Sequence, residues 1–141
     1  MPSPLSCGLV WFRRDLRAHD HPALLHALRE CAQVHCVFVF DEDILARLPR
    51  ADRRVRFIRE SLEELDRALR FLSQDAHAGL IVLHASARAA VPELAQRLDV
   101  QAVYAGRDDE PAALERDAHV RTALAQQGRE LRLFKDHTVF E

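Results

Sequence analysis

Leu9-Val10-Trp11-Phe12-Arg13-Arg14-Asp15-Leu16-Arg17-Ala18-His19-Asp20-His21-Pro22-Ala23-Leu24 is the stretch that decides the fold. Its unbroken apolar run, residues 9–12, reads as a strand buried on both faces, as in a parallel sheet. A charged exit follows. Pro22 then suits the first turn of a helix capped by His21 or Asp20 and continuing through Leu25, Leu28 and Ala32. Strand, polar exit and helix make the first part of a βαβ unit.

The alternation recurs outward along the chain. Nearly continuous apolar runs at 34–40 (interrupted by His35), 80–83 and 102–105 predict further strands buried on both faces. Leu131-Arg132-Leu133-Phe134 carries a charge and fits an edge strand. Between the runs, Arg53–Ser73 spaces Val55, Ile58, Leu62, Leu65, Leu69 and Leu72 as one stripe at helical period, with Asp52 as cap. Glu63 with Arg67 and Asp66 with Arg70 are favourable i,i+4 pairs on its other face. A third helix is predicted over 89–98, and a fourth from Pro111 to a stop at Gly128, with Asp108, Asp109 and Glu110 at its positive end. Strict alternation of this kind predicts a Rossmann-like three-layer α/β sandwich with a five-stranded parallel sheet in the order 3-2-1-4-5. Such sheets bind ligands beyond the carboxyl ends of their strands, where strand order reverses. The exits here are Arg13-Arg14-Asp15, Asp41-Glu42-Asp43 and Gly106-Arg107-Asp108.

Composition sets the bounds on function. A length of 141 residues suits one domain, 1–141, with a full core. Twenty basic and 22 acidic residues leave a formal charge of −2, without the positive field of an autonomous nucleic-acid binder. Only Lys135 among the basic residues is lysine. Cys7, Cys31 and Cys36 are odd in number and two lie in apolar segments, which fits buried thiols in a reducing cytosol. With no signal-like N-terminus and no apolar run of membrane length, the expected location is cytoplasmic and off the membrane.

Common catalytic and cofactor signatures are missing. No glycine-rich phosphate loop follows the first strand, which disfavours a dinucleotide dehydrogenase or a P-loop enzyme. Cys31 lies near a helix end, while His35 and Cys36 point to opposite faces of a strand, so they cannot converge on a metal. His19-Asp20-His21 coincides with a helix start, where capping explains it. No nucleophile can be paired with a base, so no catalytic residue is expected. Arg47, Arg50, Arg53, Arg54, Arg56 and Arg59 crowd the approach to the second helix. They read either as a solvated face or as cations reaching over the sheet exit to a polar ring or an anion, with Arg50 and Arg54 best placed.

The opening stretch strongly resembles the start of the photolyase/cryptochrome family, whose first strand and turn run V-W-F-R-R-D-L-R-x-x-D-N-P-A-L. Val103-Tyr104, Asp108-Asp109-Glu110-Pro111, Arg116-Asp117 and Val120 resemble its fourth strand and following helix, and residues 37–41 with Ile44-Leu45 its second strand and exit. The family's Asn after the second Asp of the opening motif is His21 here. The likeness covers nearly the whole chain but only the family's N-terminal domain, with the helical domain that binds FAD and DNA absent from it.

The resemblance implies a parent that is most similar to a deoxyribodipyrimidine photolyase, repairing cyclobutane pyrimidine dimers by light-driven electron transfer from reduced FAD. It implies that this domain partners the C-terminal FAD domain of the same parent, reaches damaged DNA only through it, and is inactive alone. A partial antenna site also carries over: Arg54 and Asp108 stand where deazaflavin-binding members have an arginine and an acid, with Phe38, Arg50 and Glu110 nearby. Folate-binding members carry Asn-Glu where this chain has Ala112-Ala113, so a deazaflavin-like or other flavin antenna is the better match. The alternatives are a cryptochrome-type photoreceptor domain and a stand-alone nucleotide-binding module.

Overall fold

The structure, a computed structural model, describes residues 5–42, 53–73 and 79–135, the side chains of 53–57 and 73 excepted. Its elements run β1 (Leu5–Phe12), α1 (Pro22–Glu30), β2 (Cys31–Asp41), α2 (Arg53–Ser73), β3 (Leu80–Ala85), α3 (Ala87–Leu98), β4 (Ala102–Gly106), α4 (Pro111–Gln126) and β5 (Glu130–Phe134). All pairings are parallel and the strand order is β3-β2-β1-β4-β5, as the alternation predicts. Asp52, expected to cap α2, lies outside the described residues.

Side-chain alternation along the strands divides the core into two layers. Leu9 and Trp11 of β1 join Val37, Val39, Val103 and Ala105 beneath α3 and α4, against Val91, Ala95, Val120 and Leu124. Val10 and Phe12 face the other way, toward Ala23, Leu24 and Ala27 of α1 and Leu65 and Leu69 of α2. Leu9, Val10 and Phe12 are wholly buried, each contributing about 1.5–3 kcal/mol relative to exposure. Strand β1 therefore has neighbours on both edges and helices on both faces. All three cysteines are buried and free.

Several expectations need correction. Helix α1 ends at Glu30, because Cys31 is already extended (φ −117°, ψ 141°), so Ala32 belongs to β2. Its buried face is Ala23, Leu24 and Ala27, while Leu25 and Leu28 are exposed: small alanines let the helix lie close to the sheet. Residues 80–83 are not buried on both faces, since β3 is an edge strand and Val82 remains 41% exposed. In α2 the stripe is buried at Leu62, Leu65 and Leu69, but Leu72 runs past the sheet and is exposed. The Asp66–Arg70 pair forms at 3.0 Å, and the other Asp66 oxygen accepts the Leu80 N–H at 2.7 Å, fixing the start of β3 beneath the helix.

Close approach at Gly8 gives a test of this packing. A Cβ there would stand 2.6 Å from Cys31 Sγ and 3.2 Å from the Tyr104 ring, both buried. Gly8→Ala is expected to lose about 1–3 kcal/mol of unfolding free energy in urea titration, as overpacked cores do. An unchanged midpoint would mean that β1 is less tightly packed against Cys31 and Tyr104.

Candidate functional site

The carboxyl ends of β1, β2 and β4 frame a cleft of about 310 Å³, at the small end of the range for ligand pockets. Its described walls are mainly apolar: Trp11 from β1, Phe38 and Phe40 from β2, Ile58 from α2, and Ala112 and Ala113 from the first turn of α4. Polar groups enter from Arg13, Arg14, Asp41, Asp108, Glu110 and Arg116. The cleft opens where strand order reverses, because β2 and β4 leave β1 in opposite directions across the sheet.

A buried charge cluster forms its floor. Arg13 Nη1 donates to Asp117 Oδ1 at 2.5 Å, and its Nη2 donates to the Gly106 carbonyl. Arg116 Nε donates to the same Asp117 oxygen at 3.2 Å, while its Nη1 stands 3.9 Å from Asp41 Oδ2. Both guanidiniums lie over the Trp11 ring, 4.7 and 5.0 Å from its centroid, so the indole spaces the cations it packs against. Burial lowers the Arg13 pKa and Asp117 opposes the drop; a guanidinium stays charged regardless. Arg116 Nη2 is buried and has no hydrogen-bond partner among the described residues.

The rim is more open. Arg14 is two-thirds exposed, 2.8 Å from Glu110 Oε1 and 3.7 Å from Asp108 Oδ2. Asp108 Oδ1 accepts the Glu110 N–H at 3.2 Å, shaping the turn into α4. Behind the β1 exit, His21 caps α1 as expected: its Nδ1 accepts the Leu24 N–H at 3.1 Å. Its Nε2 stands 2.9 Å from Asp15 Oδ2, a close polar approach rather than an aligned hydrogen bond. The histidine thus caps the helix and holds the turn that aims Arg13.

Of the residues expected at the site, Phe38, Asp108 and Glu110 line the cleft. Arg54 lies in the first turn of α2 with its side chain outside the described ones, and Arg50 lies outside the described residues. Among the described side chains Asp108 pairs with Arg14. Sequence reasoning missed Trp11 and Arg116 as lining residues. One signal was available: Ala113, Asp117, Val120 and Leu124 form the buried stripe of α4, and a carboxylate in such a stripe requires a buried cation.

The DNA photolyase family matches residues 8–141. The chain belongs to that family. It is 35% identical over 130 residues to cryptochrome-2 of Gallus gallus, covering 92% of this chain and 22% of that protein. A deoxyribodipyrimidine photo-lyase of a Synechococcus species is 36% identical over 120 residues, covering 85% of this chain and 24% of the relative. An archaeal photolyase from Sulfolobus tokodaii, solved with two FAD molecules and described as implying a novel light-harvesting cofactor, superposes with a TM-score of 0.81 at 30% identity. That match covers 96% of this chain and 32% of the archaeal one. The chain thus spans about a quarter to a third of these photolyase and cryptochrome relatives.

In this photolyase-family domain Asp15 gives a pH signature. Burial would push its carboxyl up, but the close His21 ring and the hydrogen bond from the Arg13 N–H hold it below its usual 3.8. A depressed pKa makes its stabilisation present above 3.8 and lost as pH falls further. Asp15→Asn is expected to lose about 1 kcal/mol at pH 6 in urea titration, the gap closing below pH 3.8. A gap constant from pH 6 to 2.5 would assign the effect to shape rather than charge.

Proposed function

We propose that this domain is the light-harvesting module of a deoxyribodipyrimidine photolyase, holding a deazaflavin-like or other flavin ring in the cleft beyond β1, β2 and β4. The observation that carries this reading is an apolar, aromatic slot beyond the sheet's carboxyl ends, lined by Trp11, Phe38 and Phe40, with charged groups at its floor and rim. A conjugated ring bound there would absorb light and pass its excitation to the FAD of the parent protein. Phe38 gives the ring an apolar wall and Asp108 and Glu110 polar anchors at the rim; the family resemblance adds Arg50 and Arg54 as cations. Ala112 and Ala113 leave the α4 wall without the polar pair of folate-binding members.

The parent would be a carbon–carbon lyase, splitting cyclobutane pyrimidine dimers by electron transfer from reduced FAD, in the cytoplasm. FAD and damaged DNA would be held by a helical domain beyond this chain. The net charge of −2 supports that division of labour, since phosphate binding needs a positive field. No helix among the described residues is long and apolar enough to cross a membrane. A cryptochrome-type photoreceptor is the second reading, because the identity to a cryptochrome, 35%, nearly equals the 36% to a photolyase.

Repair separates the two. The parent protein, illuminated with blue light, is expected to split thymine dimers in an oligonucleotide, and a dark control is not; absent repair in the light would favour the photoreceptor. For the antenna, Arg54→Ala is expected to weaken binding of a titrated deazaflavin by about tenfold, the loss of one charge-assisted hydrogen bond. Unchanged affinity would remove Arg54 from the site.

A further inference from the structure

We infer that His21 is a proton-operated switch between two partners: neutral, it caps α1, and protonated, it leaves the helix and pairs with Asp15. The side chain is 1% exposed and sits between the β1 exit and the first turn of α1. Its Nδ1 accepts the Leu24 N–H at 3.1 Å, so that nitrogen carries a lone pair and the proton of the neutral ring is on Nε2. Nε2 stands 2.9 Å from Asp15 Oδ2, yet it is buried without an aligned hydrogen-bond partner among the described residues. One side of the ring is satisfied, and the other is held close to a carboxylate without being joined to it.

Protonation reverses that balance. An imidazolium has two N–H donors and no acceptor, so a proton on Nδ1 meets the Leu24 N–H donor to donor and the cap is lost. The positive end of α1 also disfavours a cation, and its first turn carries no acid to hold one. Asp15 does the opposite. Its carboxyl, held below its usual 3.8, is ionised wherever a histidine titrates. Its Oδ1 is taken by the Arg13 N–H at 3.1 Å, which leaves Oδ2 to form a charged pair with the ring at a distance already reached. Among the described residues, the remaining charges around this turn are Asp20, exposed just before the ring, and Arg17, which donates to the Asp20 carbonyl. The Phe12 ring, 4.8 Å away, is apolar. The exchange moves stability from the start of α1 to the β1 exit, the segment that carries Arg13 to the cleft.

Nuclear magnetic resonance on this chain, labelled with heavy nitrogen and carbon, reads both partners at once. From about pH 7.5 to about pH 5, where a histidine titrates, the His21 ring is expected to pass from one protonated nitrogen to two. The Leu24 amide and the Asp15 carboxyl signals are expected to move in step with it. Hydrogen-exchange protection at Leu24 is expected to fall about fivefold over that range, the worth of one N-cap. His21→Asn, whose side chain caps a helix without a titrating group, is expected to hold the Leu24 signal and its protection constant. A ring that titrates while Leu24 stays unmoved would overturn the switch, as would a ring that stays neutral throughout. A change at Leu24 with none at Asp15 would overturn the exchange of partners. If His21→Asn does not fold, the joint titration in the unaltered chain decides.

Discussion

Two guanidiniums share one buried carboxylate over the Trp11 ring, and this contact ties together the parts of the sheet that topology pulls apart. Strand order reverses at β1, so the chain segments leaving β1 and β4 would otherwise diverge. Arg13 stands at the first exit, reaches the Gly106 carbonyl at the second, and meets Asp117 on α4. Removing one member of such a buried set leaves an uncompensated charge, typically at about 3–5 kcal/mol, more than the hydrogen bonds alone are worth. With Asp41 beside Arg116 the cluster holds two cations and two anions, so it tolerates burial. Gly106 belongs to the same constraint, because a Cβ there would stand 2.5 Å from Asp15 Oδ2.

A second polar network holds the opposite face of the sheet, further from the cleft. Tyr104 of β4 is fully buried, and its hydroxyl donates to Glu30 at the end of α1 at 2.8 Å. Arg132 of β5 donates to Glu30 and, at 3.2 Å, to the Tyr104 oxygen. Burial, with the Cys31 and Glu30 hydrogen bonds, pushes the Tyr104 pKa well above the phenol range, so the hydroxyl stays a donor. Strand β4 is thus anchored beneath α1 and, through Arg13 at its exit, beside α4. The cleft between them inherits its rigidity from both.

Much of the fold is legible in the sequence because its signals are local. A four-residue apolar run cannot be solvated on either face, and the stripe from Leu62 to Leu69 has no other use than a sheet to cover. The errors arise where the outcome depends on neighbours far along the chain. Leu25 and Leu28 look like a core face, yet Ala23 and Ala27 win because closeness to the sheet matters more than side-chain size. Residues 80–83 read as buried on both faces, but β3 stands at the edge, where the predicted strand order already put it, and Val82 stays exposed. Phe38, Asp108 and Glu110 are legible as site residues because strand exits and motif positions mark them. Arg116 is not, because its role follows from Asp117 turning inward beside it.

The same arginine connects stability to binding. Its Nε is committed to the cluster that holds the β1 and β4 exits together, while the side chain also lines the cleft. Evolution of the floor for ligand recognition is therefore constrained: replacing Arg116 to change the donor pattern also leaves Asp117 short of a cation. The rim carries no such penalty, since Arg14 and Glu110 are exposed and their pairing is worth about 0–1 kcal/mol. Variation in which ring is bound should accordingly concentrate at the rim and on the α4 wall at Ala112 and Ala113, while the Trp11, Arg13 and Asp117 floor stays fixed. Specificity can change at those outer positions because the charges that hold the fold do not depend on them.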